Sequence, residues 1–226
     1  YNEDGTLKSL MAVNSVIGHA LINKVPTVIY GDDFTIRGGA GDAAIYEKMI
    51  TAERFANEYR MPLIRLIEGT GGGGSVKSIE ADGYTYVPAN PGWDWVVSNM
   101  ATIPVVSLGL GPVAGLGAAR LVSSHYSVIV KKMSQVFVAG PPVVNRLGET
   151  VTKESLGGSE IHGKNGVIDE VADSEADALA KARKFLSYLP SSTYEIPKKI
   201  KNNDPIDRKD NWLISAIPKN RRHSYE

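Results

Sequence analysis

Met61-Pro-Leu-Ile-Arg-Leu-Ile-Glu-Gly-Thr-Gly-Gly-Gly-Gly-Ser-Val76 places four consecutive glycines directly after an apolar run. The run Met61–Ile67 is typical of a strand buried in a parallel sheet. The glycines Gly71–Gly74 would then present backbone N–H groups, without side chains, to a developing negative oxygen at the end of that strand. Gly-rich runs also form flexible linkers, but a linker rarely follows a core-type strand so closely.

The segments before this stretch predict a hairpin and a helix. Leu10–Ala20 and Val25–Tyr30 are apolar and separated by a turn-like break, which indicates two strands of a hairpin. Residues 43–59 have the periodicity of an amphipathic helix, with Asp42 as candidate N-cap. Because strand Leu63–Ile67 follows at once, we expect a strand–helix–strand unit, which normally implies a parallel sheet and a right-handed crossover.

A second unit of the same kind follows. Trp93–Ala101 predicts a helix, Pro104–Leu108 a strand, and the small-residue segment Gly109–Arg120 should open another helix. The clearest helix spans Ser174–Leu189, where Ser174 can act as N-cap and basic residues complement the C-terminal end. Further strands are predicted at Ser127–Val130, Gln135–Ala139 and Gly166–Ala172, with a turn or short helix at Pro141–Leu147.

Composition excludes several kinds of site and partner. The 226 residues carry 25 basic and 25 acidic side chains, so no broad charge attracts nucleic acid or an anionic membrane surface. The absence of cysteine excludes disulfides, thiolate catalysis and Cys-ligated zinc, and the four histidines lack metal-type spacing, so we expect no metal. No apolar stretch of the sequence has membrane-spanning length.

One domain is expected over residues 1–189. Beyond Pro190 the sequence is rich in Ser, Pro, Lys, Asn and Asp with little periodicity, which predicts a tail or interdomain linker over residues 190–226. The chain begins at Tyr1 without an initiator methionine or a signal-peptide pattern. We therefore interpret it as a fragment of a cytoplasmic or mitochondrial-matrix protein.

The candidate chemistry lies at two junctions where a strand is followed by glycines. Gly71–Gly74 and Gly109–Gly117 would both lie at carboxyl ends of parallel strands, the edge at which ligands bind in such sheets. Unpaired N–H groups of the helix after the second junction favour negative charge. For Ala114–Ala119, tight packing of small residues between helix and sheet is an equally good explanation.

Familiar phosphate and nucleophile motifs do not fit these junctions. The Walker pattern ends in Gly-Lys-Ser or Gly-Lys-Thr, whereas Gly74 is followed by Ser-Val-Lys. Neither glycine cluster gives a Rossmann fingerprint followed by a suitable acid, and no serine lies in a Gly-x-Ser-x-Gly elbow. The sequence therefore offers stabilisers of an oxyanion without an evident nucleophile or base.

Four stretches and the tail resemble one family in the same order: Val28–Ala40, the loop after Glu68, Ser127–Val144, Gly148–Gly163 and Leu213–Asn220. They are similar to the carboxyltransferase β-subunits of biotin-dependent acyl-CoA carboxylases, such as the propionyl-CoA and methylcrotonoyl-CoA enzymes. The resemblance implies an α/β fold of the crotonase-like class, a β-β-α superhelix. The chain would supply most of the N-terminal half of the carboxyltransferase.

The resemblance also implies a reaction. The family moves a carboxyl group from carboxybiotin to the α or vinylogous carbon of an acyl-CoA, and the biotin nitrogen is thought to take the proton. The missing base suits this chemistry, since the protein chiefly stabilises an enolate oxygen by backbone N–H groups. The residues carried over to the thioester oxygen are Gly71, Gly72 and Gly73, with Ala114, Gly115 and Leu116 at the start of the helix beside it.

Other parts of the assembly follow from the same resemblance. Arg37, with Gly38 and Gly39, could contact a CoA phosphate, although a solvated arginine is the simpler interpretation. His162 could line the pocket, and a packing role is equally compatible with its position. The expected partners are a biotin carboxylase and biotin carrier subunit and further copies of the chain, in a dimer-built hexamer.

Three departures from the family pattern leave alternatives open. The glycine loop has an extra glycine before Ser75, Leu116 replaces a glycine at the helix start, and His125 stands where relatives have an aspartate. These changes are compatible with altered acyl specificity or with loss of activity. The alternatives are a biotin-dependent decarboxylase or transcarboxylase subunit, and a catalytically silent scaffold.

Overall fold

The structure is a computed structural model, and it describes residues 2–8, 13–39, 43–69, 71, 80, 83, 92–199 and 201–223. Within this part of the chain, seven strands form one sheet in the order β1-β2-β3-β4-β5-β7, and β6 pairs with the end of β4 on the same side as β5. The strands are β1 Ser15–Ile22, β2 Val25–Asp32, β3 Leu63–Gly69, β4 Val105–Ala114, β5 Tyr126–Val130, β6 Gln135–Phe137 and β7 Glu170–Ala172.

The helices alternate with the strands along the chain. They are α1 Ala43–Glu58, α2 Trp93–Thr102, α3 Leu116–Val122, α4 Pro141–Val144, α5 Lys153–Gly157, α6 Ser159–His162, α7 Glu175–Leu186 and α8 Leu213–Ala216, with 3-10 turns at Arg37–Gly39 and Asn145–Leu147. The β1–β2 pair is antiparallel and the other described pairs are parallel. The predicted hairpin and parallel α/β sheet are confirmed.

The turn of the hairpin is made by Asn23 and Lys24. Their φ angles are 52° and 68°, so both residues are left-handed, as the central pair of a tight type I′ turn requires. The Asn23 side chain donates to the Arg183 carbonyl oxygen at 2.8 Å. The hairpin tip is thus attached to the last turn of α7.

Helices cover both faces of the sheet. On one face, β2, β3 and β4 pack on α1 through Val28, Tyr30, Leu63, Val105, Met49, Ala52 and Ala56. On the other, α7 covers Ile64, Val106, Leu108, Val128 and Val130 with Ala178 and Ala182. The continuous apolar run of β3 is explained by this double burial, because Leu63 and Ile64 point to opposite faces.

Strand β4 extends further than predicted. The segment from Gly109 was expected to open a helix, but it continues as strand to Ala114, and α3 begins at Leu116. The reason is a second partner, because Pro112–Ala114 pair in parallel with β6. Local sequence cannot show this pairing.

The C-terminal elements agree in part with the prediction. Ser174 caps α7 by accepting from the Asp177 N–H at 3.2 Å, and the helix ends at Leu186. The following residues 190–195 run back against the body of the domain. Thr193 N–H donates to the Thr102 carbonyl oxygen at 2.9 Å, and Ser192 is 2% exposed.

Candidate active site at the glycine junction

The two predicted glycine junctions meet at the carboxyl ends of β3 and β4. A Cβ atom on Gly71 would stand 3.1 Å from the carbonyl oxygen of Ala114, the last residue of β4. Gly71 and Gly115 have φ angles of +85° and +59°, which residues with side chains rarely adopt. The backbones approach closely because neither residue has a Cβ. The expectation that both junctions share one edge is confirmed for Gly71 and Gly115, whereas residues 109–113 of the second predicted junction lie within β4.

Gly72 and Gly73, two of the residues predicted to bind the thioester oxygen, lie outside the residues that the structure describes. Their assignment stays a prediction. Gly71 belongs to the same run, and its backbone is placed directly against Ala114. Gly71 therefore lies beside the last residue of β4, just before the start of α3.

The start of α3 forms the other side of the junction. The Gly115 N–H donates to the carbonyl oxygens of Phe137 and Val138, each at 3.1 Å, so this amide attaches the junction to the end of β6. The Leu116 amide opens the helix, and the first amides of an α-helix have no acceptor within it. Of the three residues predicted here, Ala114 ends β4, Gly115 uses its amide to bind the end of β6, and Leu116 begins the helix; their catalytic assignment stays a prediction.

The predicted CoA-binding turn Arg37–Gly39 adjoins the same edge. Gly38 and Gly39 have φ angles of 63° and 64°. A Cβ on Gly39 would stand 2.5 Å from the Glu68 carbonyl oxygen, and a Cβ on Gly69 would stand 2.6 Å from the Gly39 carbonyl oxygen. The backbone of this turn therefore lies on the end of β3, two positions before Gly71.

His162 is placed on the free edge of β6. Its Nε2 lies 2.8 Å from the Val136 carbonyl oxygen, and because a carbonyl can only accept, Nε2 carries the proton. Nδ1 then accepts from the Asn165 side-chain amide at 3.3 Å. Both ring nitrogens are occupied, which favours the packing role over the substrate-binding role predicted as its alternative.

His125 lies at the opposite, amino-terminal edge of the sheet. Its Nδ1 accepts from the Val105 N–H at 3.1 Å, and its Nε2 lies 2.9 Å from the Met100 carbonyl oxygen, to which it donates. The side chain therefore joins the end of α2 to the start of β4. His125, one of the three departures from the family pattern, therefore has a structural role in this fold.

The sequence pattern of the family described as Carboxyl transferase domain matches residues 5–226. The chain belongs to the carboxyl transferase domain family. Among its relatives, the α subunit of methylmalonyl-CoA decarboxylase from Veillonella parvula is 29% identical over 222 residues, covering 97% of this chain and 42% of that protein. The mitochondrial propionyl-CoA carboxylase β chain of Sus scrofa is 31% identical over 215 residues, covering 93% and 39%.

Two solved structures are similar in fold to this chain. The transcarboxylase 12S hexamer, with hydrolysed methylmalonyl-coenzyme A bound, has a TM-score of 0.71 and 25% identity, covering 91% of this chain and 40% of that one. The β subunit of geranyl-CoA carboxylase from P. aeruginosa has a TM-score of 0.66 and 25% identity, covering 78% and 33%. The predicted crotonase-like fold is confirmed. This carboxyl transferase domain spans about two-fifths of the length of its curated relatives.

A buried charge network that joins α1, β3 and α3 was not anticipated from the sequence. Glu53 of α1 is 1% exposed, Arg65 of β3 0% and Arg120 of α3 3%. A signal was present, because Arg65 interrupts an apolar strand and Glu53 falls beside the apolar positions Met49 and Ala52 of α1. Charged side chains at such positions need a buried partner.

The Glu53 carboxylate is the centre of this network. It accepts from Arg65 Nε at 2.7 Å and Nη2 at 3.0 Å, from Arg120 Nη2 at 3.1 Å and from Asn99 Nδ2 at 2.9 Å. Burial alone would raise the pKa of Glu53, but the adjacent guanidinium groups hold it below its ordinary value. The carboxylate therefore stays ionised in the core of the carboxyl transferase domain.

A second carboxylate, Asp32, lies at the end of β2. It accepts from the Tyr30 hydroxyl at 2.5 Å and from the Glu68 N–H at 3.2 Å. Burial raises the pKa of Asp32, and hydrogen bonding by Tyr30 and the charge of Arg120 oppose that effect. The pKa of Glu68 is also raised, by burial and then by Glu175 and Asp32.

The described part of the carboxyl transferase domain shows neither a cluster of metal ligands nor a membrane-spanning helix. Its His, Asp and Glu side chains form no group of three or more that could hold a metal ion. None of its helices is long and apolar enough to cross a membrane.

Proposed function

We propose that this chain is the acyl-CoA-binding part of the carboxyltransferase subunit of a biotin-dependent acyl-CoA carboxylase. The reaction would transfer a carboxyl group from carboxybiotin to the α or vinylogous carbon of the acyl-CoA. The observation that carries the proposal is the contact of Gly71 with Ala114 and Gly115 at the start of α3, within a domain of the carboxyl transferase family.

The backbone would perform the main catalytic task. A thioester oxygen at the junction would accept from amides of Gly71, Gly72 and Gly73 on one side and of Leu116 on the other. The described donors, at Gly71 after β3 and at Leu116 in the first turn of α3, are held in place before substrate arrives, so they can stabilise the enolate oxygen as its charge develops. Removal of one such donor costs about 10²–10³-fold in kcat.

The residues of the junction fit a biotin-bound carboxyl donor by their chemistry. The described atoms within 4 Å of a Cβ built on Gly71 or Gly115 are backbone atoms and the Ala114 methyl group, so the groups that this surface presents to a ligand are those of the backbone. Carboxybiotin, when bound, supplies the carboxyl group. The chain's own part is to orient the acyl-CoA and stabilise its enolate.

The turn Arg37–Gly39 is the proposed contact for CoA. Its backbone lies on the end of β3, adjacent to Gly71, so a ligand can reach both the turn and the junction. Arg37 would neutralise a phosphate of the nucleotide part. Contact with phosphate would anchor the nonreacting end of the substrate and leave the thioester to the glycines.

A second candidate is a biotin-dependent decarboxylase or transcarboxylase subunit. It is favoured by the decarboxylase α subunit of Veillonella parvula, with which 97% of this chain aligns, and by the likeness to transcarboxylase 12S. The same junction would stabilise the same kind of enolate. What differs is the donor or acceptor of the carboxyl group.

The family relationship also supports proposals about the partners of this chain and its cellular compartment. We infer association with a biotin carboxylase and biotin carrier subunit and assembly into a homo-oligomer. The transcarboxylase 12S likeness, a hexamer, supports this assembly. The mitochondrial propionyl-CoA carboxylase relative supports a mitochondrial matrix location, with the cytoplasm as the alternative.

The test is to assemble the full-length subunit with a biotinylated carrier and its carboxylase. Labelled bicarbonate transfer is measured over a panel of acetyl-, propionyl-, butyryl- and methylcrotonoyl-CoA. Transfer to one of these, dependent on ATP and biotin, supports the carboxylase. Loss of label from a malonyl-type CoA ester without ATP supports the second candidate. Failure to bind any CoA ester contradicts both and favours a silent scaffold.

A further inference from the structure

The two sides of the glycine junction are connected by one buried charge network. Resting on the proposed function, we propose that Glu53, Arg65, Arg120 and Asp32 are positioning residues, which set the distance between the end of β3 and α3 and so align the amides that face the thioester oxygen.

The first arm of the network holds α3. Arg65 Nη1 donates to the carbonyl oxygens of Arg120 at 3.0 Å and Ser123 at 2.7 Å, at the C-terminal end of this helix. A cation there satisfies unpaired carbonyls and interacts favourably with the helix dipole. The other edge of the same guanidinium is fixed by Glu53 of α1. A seven-residue helix is too short to be stable alone, so such contacts determine where α3 lies.

The second arm holds the end of β3. The Arg120 guanidinium lies 4.6 Å from the centroid of the Tyr30 ring, and the Tyr30 hydroxyl donates to Asp32. Asp32 in turn accepts from the Glu68 N–H. Strand β2 ends at Asp32. Beyond that point the Asp32 carboxylate, instead of a backbone carbonyl of β2, accepts the Glu68 N–H, and this bond fixes the backbone that leads to Gly71.

Charge balance explains why both carboxylates are needed. Arg65 and Arg120 bring two buried positive charges, and Glu53 neutralises one of them. Asp32 is the second negative group that acts on Arg120, without a direct ion pair between them. Leaving a buried guanidinium uncompensated is costly, so the network is stable with both arms in place.

The charge network connects the packing of the core to the position of the proposed donor amides. The Arg120 side chain and the Leu116 amide belong to the same short helix, and the Asp32 contact lies three positions before Gly71. A change in either arm would move one side of the junction relative to the other. Misplacement by about 1 Å can cost about 10²-fold in rate.

The test uses Asp32→Asn, with Asp33→Asn as matched control. Asp33 is the adjacent carboxylate, and it accepts from Thr35 instead of Glu68. In the assembled holoenzyme, Asp32→Asn should lower kcat by about 10–100-fold with KM for acyl-CoA changed less than about threefold. Asp33→Asn should leave both constants unchanged. A kcat that is unchanged in folded Asp32→Asn, or a loss confined to KM, overturns the proposal.

Amide hydrogen exchange keeps this test independent of activity. Asp32→Asn should speed exchange in peptides that cover Glu68–Gly71, and Arg65→Lys should speed it in peptides that cover α3, while α7 stays protected. Equal exchange in wild type and in Asp32→Asn overturns the proposal, even if Arg65→Lys fails to fold. If the wild-type holoenzyme transfers no carboxyl group, the proposed function fails, and the exchange data still decide the positioning.

Discussion

Gly71 and Gly115 face each other so closely that a Cβ atom on Gly115 would lie 3.7 Å from the Gly71 Cα. Ala114 closes the same space from the side of β4, where a Cβ on Gly71 would lie 3.1 Å from its carbonyl oxygen. The junction is therefore tight at Gly71, where a side chain would have to displace Ala114. At Gly115 a Cβ would meet only ordinary van der Waals contacts, and its positive φ is what favours glycine.

Gly71→Ala should reduce carboxyl transfer by about 10²-fold, because the new methyl group pushes the glycine run away from Ala114. The positive φ of Gly71 adds about 1–2 kcal/mol of backbone strain. Gly148→Ala is the matched control, since Gly148 has a φ of +90° and no atom within 4 Å of a Cβ. Steady-state rates of both variants in the assembled enzyme give the answer. An equal loss of transfer rate in both variants would show that backbone strain alone causes the effect.

Arg37→Ala should weaken the use of acyl-CoA through the nucleotide end of the substrate. Losing one charged hydrogen bond costs about 1.5–3 kcal/mol, so KM should rise about 10–100-fold. The same variant should use the corresponding acyl-pantetheine, which lacks the nucleotide phosphates, as well as wild type does. Steady-state kinetics with both substrates make the comparison. A parallel rise of KM for acyl-pantetheine would contradict a phosphate contact.

The parts of the fold that sequence could predict are those encoded locally. The hairpin turn at Asn23, the apolar run of β3 and the cap at Ser174 each depend on neighbours in the chain. The glycine junction was predictable for the same reason, because positive φ and absent side chains are properties of Gly71 and Gly115 themselves.

The parts that sequence missed depend on distant partners. Arg65 meets Arg120 and Ser123, which are 55 and 58 positions away, and no local period indicates that pairing. Strand β4 continues past Gly109 because β6 is available beside it. The occupied ring of His162 likewise depends on a carbonyl of β6. Tertiary contacts decided each of these features.

Glu53→Gln should destabilise the domain by about 3–5 kcal/mol at neutral pH, because it leaves the buried Arg65 without a counter-ion and leaves Arg120 with only Asp32, to which it is not directly paired. Urea unfolding monitored by circular dichroism measures this change in the free energy of unfolding. Glu58→Gln is the control, since the Arg54–Glu58 pair is half-exposed with 3.9 Å between Nε and Oε1. Such a surface pair contributes less than about 1 kcal/mol.

The stability difference between wild type and Glu53→Gln should depend on pH. The pKa of Glu53 is lower in the folded state than its ordinary value of 4.5, so the unfolded state binds more protons in that range. The contribution is therefore fully present above about pH 4.5 and is lost as the pH falls through the folded-state pKa. The difference in unfolding free energy should therefore become smaller as the pH falls from about 7 to about 3.5. A difference that stays constant over this range would show that folding does not lower the pKa of Glu53.

The segment Pro190–Glu195, named here the strap, provides a test of the predicted domain limit at residue 189. Thr193 N–H donates to the Thr102 carbonyl oxygen, and the Arg60 guanidinium lies 4.0 Å from the centroid of the Tyr194 ring. Arg60 has a φ of 54°, so this residue ends α1 in a left-handed conformation that directs it to the strap. On these contacts we propose that the folded unit extends through the strap.

Thr193→Pro should therefore destabilise the domain, because proline removes the N–H that binds Thr102. One such hydrogen bond contributes about 1 kcal/mol, which corresponds to about 2–4 °C in Tm for a domain of this size. Lys199→Pro is the control, since the Lys199 amide has no partner among the described residues. Differential scanning calorimetry should show a lower Tm for Thr193→Pro alone. Identical Tm values would mean that the strap is a linker, as the composition predicted, and that the folded unit ends at residue 189.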